Sequence, residues 1–90
     1  MKVYEVIMHW AFDGDENVET HIFSTKEKAQ EYFNKLVKDE KETSWLRDYF
    51  VNGTPNDLDF YADDSDSFYA SLWSDKTFID IWEKEVDENE

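Results

Sequence analysis

Ser24-Thr25-Lys26-Glu27-Lys28-Ala29-Gln30-Glu31-Tyr32-Phe33-Asn34-Lys35-Leu36-Val37 is the stretch on which the fold turns. Ser24 and Glu27 have the spacing of a capping box, in which the side chains satisfy orphan N–H groups at a helix start. Ala29, Tyr32, Phe33, Leu36 and Val37 then recur at i, i+3, i+4, i+7 and i+8, one apolar stripe at helical period. Glu31 and Lys35 form a favourable i, i+4 pair on the opposite side. The spacing predicts a helix over 25–40 whose stripe must be buried on another layer.

Upstream, residues 3–12 place Tyr4, Val6, Met8, Trp10 and Phe12 at period two, as in a half-buried strand. Residues 18–23 alternate again, with Val18, Thr20 and Ile22 against Glu19 and His21. Two hairpin registers compete. Asp13-Gly14 is the stronger local turn signal, yet a two-residue turn there puts Glu19 and His21 on the face of Met8 and Val6. A five-residue loop over 13–17 pairs Phe12 with Val18, Trp10 with Thr20 and Met8 with Ile22, and keeps one face apolar. The longer loop is the expectation, because a one-residue slip turns every side chain to the other face.

Downstream, residues 43–51 fit a short helix through Trp45 with Tyr49 and Leu46 with Phe50, ended by Asn52-Gly53. The same residues are good strand formers, and both readings stand. Leu58–Ala62 reads as a short strand and Asp63–Asp66 as a turn. Phe68–Trp73 and Phe78–Val86 read as strands joined at Ser74-Asp75, with Phe68 opposite Ile81, Ala70 opposite Ile79 and Leu72 opposite Thr77. Residues 87–90 are expected to fray. The order β-β-α-(α)-β-β-β implies one α+β domain over 1–90, with an antiparallel sheet of about five strands and one main helix on one face.

Composition narrows the function. Ninety residues allow one modest core, and no cysteine is present to staple it. Four Trp, five Tyr and seven Phe supply the buried area instead. No apolar run approaches a membrane span, and the charged early residues do not form a signal peptide, so a cytoplasmic setting is expected. The net charge is −14, and residues 46–90 hold thirteen acids against Arg47, Lys76 and Lys84. Direct nucleic-acid binding is disfavoured, because phosphate contacts need Lys and Arg. A basic protein surface is the favoured partner, since net charge steers encounter.

Motifs for chemistry are absent. His9 and His21 face each other in the expected register, but two exposed strand histidines fall short of a metal site. Asp13-Gly14-Asp15-Glu16-Asn17 opens like a calcium loop and then fails, with Val18 and Ser24 at the positions that need glycine and a bidentate acid. Two isolated glycines make no phosphate loop. Asp80 lies between Ile79 and Ile81, but on a strand it points to the opposite face. No catalytic residue, cofactor or metal is assigned.

The opening Lys2-Val3-Tyr4-Glu5-Val6, and then Ile22-Phe23-Ser24-Thr25-Lys26-Glu27-Lys28-Ala29, resembles small proteins of phages and mobile elements in which two strands run into an F-S-T-K-E-K-A helix start. The resemblance covers residues 2–37 and implies a small accessory protein.

Two features point to binding. Asp57 with Asp59, and Glu83 with Glu85 and Asp87, place carboxylates about 6.5–7 Å apart on one side of an extended chain. Such rows can imitate a phosphate backbone. Tyr69, Trp73, Phe78 and Trp82 form an aromatic outer face on the last hairpin, and aromatics of this kind anchor interfaces. The expected function is a non-catalytic acidic binding protein, such as an inhibitor of a basic host or defence protein that acts as a nucleic-acid mimic. Two alternatives are a structural or assembly module that forms a homodimer through the aromatic face, and an immunity protein or antitoxin for a basic toxin.

Overall fold

The structure, a computed structural model, describes residues 1–86. Its elements are β1 (Lys2–Phe12), β2 (Asp15–Phe23), α1 (Lys26–Thr43), α2 (Arg47–Phe50), a 3-10 turn (Pro55–Asp57), β3 (Phe60–Asp63), β4 (Ser67–Leu72) and β5 (Asp75–Glu85). The strands form one antiparallel sheet in the order β2-β1-β5-β4-β3. The fold is the expected α+β sheet with one main helix.

α1 starts one residue later than the capping box implied. Thr25, in extended backbone, is the N-cap, and its hydroxyl accepts the Lys28 N–H at 3.3 Å. The helix also runs on to Thr43, where the Ser44 hydroxyl donates to the Glu40 carbonyl at 2.6 Å and closes the last turn. Ala29, Phe33 and Val37 are buried; Tyr32 and Leu36 flank them, half-buried. The inner stripe therefore follows i, i+4, i+8 and packs over Val6 and Met8 of β1 and Ile79 of β5.

The first hairpin corrects the expected register. The turn is Asp13-Gly14, with φ of 52° and 87°, the positive pair that a type I′ hairpin turn needs. Met8 pairs with Glu19, Val6 with His21 and Trp10 with Asn17. The physical reason lies in coverage. One apolar face on both strands requires α1 to roof both, but β2 is an edge strand, and all of it except Phe23 is exposed. With only Phe23 of β2 packed against the core, turn chemistry decides the register.

The last hairpin turns one residue earlier than expected, at Trp73-Ser74, with Phe68 opposite Ile79, Ala70 opposite Thr77 and Leu72 opposite Asp75. Pairing thus moves by two residues, which keeps every side chain on its expected face. Two carboxylates hold this arrangement. Asp59 accepts the Trp73 N–H at 2.7 Å, and Asp75 accepts the Asp13 N–H at 3.1 Å, which draws Asp75 into β5.

Residues 43–51 resolve as the short helix α2. Leu46, just before it, is fully buried, and the Trp45 indole donates to the buried Thr77 hydroxyl at 3.0 Å. Gly53 follows where a Cβ would lie 2.5 Å from the Asp48 carbonyl oxygen, so the chain can leave α2 only through glycine.

Candidate functional site

α1 and α2 lie on one side of the sheet only. The side chains on the other side follow from the registers. One row crosses the strands as Val18, His9, Phe78 and Tyr69; the next reads Thr20, Ile7, Asp80 and Ser67. Beyond these, Ile22, Glu5 and Trp82 form one margin, and Glu16, Ala11, Lys76, Ser71 and Phe60 the other.

The centre of this face is a ladder of rings. His9 stands edge-on to Phe78 at 4.7 Å, Phe78 stacks on Tyr69 at 5.8 Å and 12°, and Tyr69 meets Phe60 edge-on at 5.1 Å. The ladder spans β1, β5, β4 and β3. At the margins Val18, Ile22 and Trp82 remain 57%, 64% and 56% exposed. Phe60 is likewise more than half exposed, so this face carries apolar surface in contact with solvent.

The charges of the face are few and mostly satisfied within it. Lys84 pairs with Glu5 at 2.7 Å, and His9 with Glu16 at 2.7 Å. Asp80 and Lys76 are both half-buried and have no ion-pair partner among the described residues. Burial raises the Asp80 carboxyl above its ordinary pKa, and the charge of Asp66 adds to the shift.

The expected site residues divide between places. Tyr69, Phe78 and Trp82 share the uncovered face. Trp73 does not join them: it occupies the β4–β5 turn at φ 58° and is 90% exposed. Asp59 is beside it as its N–H acceptor, not on a strand, and Asp57 lies in the 3-10 turn. The expected Asp57–Asp59 strand row is therefore not formed. Glu83 and Glu85 keep their common side of β5, but Lys2 approaches Glu83 at 3.7 Å and the Met1 amino group approaches Glu85 at 3.1 Å. They sit at the end of β5 remote from Trp73, about 30 Å away at strand rise. The acids thus form no single continuous row. Asp87 lies outside the described residues.

The two histidines are also separated. His9 is on the uncovered face; His21 is on the helix side, edge-on to Tyr32 at 4.8 Å. Among the described residues no group of three or more His, Cys, Asp or Glu could hold a metal.

On the helix side, a cleft of about 290 Å³ is lined by Trp10, Phe12, Glu40, Ser44, Trp45 and Thr77. Burial raises the Glu40 carboxyl pKa, a Ser44 hydrogen bond works against it, and the charges of Asp39 and Glu19 add. Ser44 also caps α1, and Thr77 is bonded to Trp45, so both hydroxyls serve structural contacts.

Sequence reasoning missed Val18 and Ile22 on the uncovered face, together with the Asp80–Lys76 pair. The deciding signal is Asp13-Gly14, the stronger local turn signal, which the expectation of one apolar face outweighs in the sequence; its turn sets which way β2 faces. No protein-family model, curated protein or solved structure matches the chain.

Proposed function

We propose that this chain is a small, acidic, non-catalytic binding protein whose protein partner docks on the uncovered face of the sheet. The observation that carries this reading is the direction of β2. A one-helix, two-layer domain needs only one apolar sheet face, yet β2 turns Val18, Thr20 and Ile22 to the side with no helix, and Asn17, Glu19 and His21 to the helix side. Binary patterning places apolar residues where burial is intended. For β2, that is the outer face.

Val18→Lys with Ile22→Lys tests the reading. Both positions are more than half exposed in a single chain, so the fold should be kept, as read by far-UV circular dichroism. Retention of the partner in a pull-down should be lost. A partner held equally by wild type and double variant contradicts the reading.

A second reading, a basic partner at the acidic turn end, is favoured by Trp73. A Trp held in left-handed backbone by a carboxylate, beside Asp13 and Asp75, is an exposed aromatic anchor amid negative charge. Asp59→Asn with Trp73→Ala should weaken such a partner, and its association should slow as salt rises. Binding that ignores both changes removes this reading.

A further inference from the structure

We infer that the occupant of the uncovered face is a second copy of this chain, packed face to face about a two-fold axis that crosses β5 at Phe78, so that Asp80 of each copy meets Lys76 of the other. The inference rests on the docking reading above and names the partner.

Charge selects the partner. The chain carries −14, so two copies repel over most of their surfaces. On the uncovered face the strands present only Glu5, Glu16 and Asp80 against Lys76 and Lys84. Of these, Glu5 is paired with Lys84, and Glu16 with His9. This nearly neutral face is where a second copy can approach. A basic protein would instead be drawn to the acidic ends and edges.

The remaining charges are self-complementary. Asp80 and Lys76 stand two residues on either side of Phe78, on one strand and one face. A two-fold axis across the strand at Phe78 exchanges the two positions, so one contact occurs twice, as isologous symmetry requires. Ile7 then lies over Ala11 of the second copy, and the ring ladder meets its own image. Packed sheets lie about 10 Å apart, a gap that the flexible stem of Lys76 can bridge.

Area is sufficient. The sheet has five strands. With the axis at Phe78 the overlap runs over residues 75–81 of β5 and 6–12 of β1, about 23 Å, and strands about 4.8 Å apart then give roughly 500 Å² per copy, the size of a small, reversible interface. The half-burial of Asp80 and Lys76 in a single copy has the same explanation: each charge is already partly withdrawn from water and meets its opposite on association.

Sedimentation equilibrium of the full chain tests the inference. Wild type should dimerise at or below about 10 µM. Asp80→Lys alone and Lys76→Asp alone should each raise the dimer Kd about tenfold or more. The equimolar mixture of these two variants should form a heterodimer, because every pair across its axis is then opposite in sign, and the chain carrying both changes should regain the homodimer. Should a reversal disturb the fold, Asp80→Asn and Lys76→Gln should weaken the dimer in the same direction. Single variants that dimerise like wild type, or a mixture no tighter than its components, overturn the pairing. A wild type that stays monomeric at about 100 µM overturns the second copy as occupant. The docking reading survives that last result only if Val18→Lys with Ile22→Lys still abolishes capture of a different protein; otherwise both fail.

Discussion

Met8 and Glu19 sit directly opposite each other across the first hairpin, one buried beneath α1 and the other exposed. This mismatch follows from the Asp13-Gly14 turn and sends Val18 and Ile22 to the far side of the sheet. A local two-residue choice thereby gives the molecule a second apolar face.

Gly14 has φ of 87° and holds the register. Gly14→Val forces a β-branched side chain into left-handed backbone, which costs about 1–2 kcal/mol. The urea midpoint should fall with an unchanged slope, since the native surface is preserved. A midpoint equal to wild type would show that pairing beyond the turn sets the register.

Phe33 and Leu36 differ in depth although both belong to the apolar stripe. Phe33→Ala should cost about 3–5 kcal/mol, as for other buried aromatics. Leu36→Ala should cost clearly less, because that side chain already meets water. Equal losses by calorimetry would mean that α1 is rotated from its observed face.

Trp73 combines left-handed backbone with near-complete exposure. Trp73→Gly removes the Cβ strain and buries nothing less, so stability should rise by about 1 kcal/mol. Under the second reading, affinity for a basic partner should fall in the same variant. A loss of stability would mean that the ring makes contacts that its exposure does not suggest.

Asp80 and Glu40 both have raised carboxyl pKa values, chiefly through burial. The folded chain then holds these protons more tightly than the unfolded chain, so ionisation works against folding. Stability should be lowest above the raised values, climb as pH falls through them, and level off below the ordinary carboxyl range of about 4. The charged group acting on Asp80 is Asp66, with Lys76 and Lys84 four residues away along β5 and Glu5 on β1. The measurement is a denaturation series on Val18→Lys with Ile22→Lys, which keeps the chain single. Asp80→Asn in that background should flatten part of the climb, while in the wild-type background it should loosen the dimer. No change in the climb would remove Asp80 from the account.

The helix stripe, the element order along the chain and the aromatic residues of the last hairpin were legible because each rests on periodicity within its own element. Register was not, because it depends on which strands the helix roofs. Period-two alternation in β2 is the same whichever way it faces, and only coverage or the turn can decide. Tyr69, Phe78 and Trp82 share one face in the expected and the observed register alike, since a two-residue slip preserves faces. Trp73 left them because Asp59, fourteen residues earlier, captures its N–H. Asp57 is taken into the 3-10 turn that Thr54 caps and Pro55 opens, and Asp59 follows that turn short of β3.

The most direct test follows Trp82 and Trp73 together. One is 56% exposed on the uncovered face; the other is 90% exposed at the turn, off that face. In fluorotryptophan-labelled protein, with resonances assigned by Trp82→Phe and Trp73→Phe, a dilution series reports both in one spectrum. The account predicts that the Trp82 resonance shifts with protein concentration, because the axis at Phe78 brings the β4–β5 turn of the second copy opposite it. A Trp82 resonance that is fixed across the series and unmoved by any added partner would contradict it.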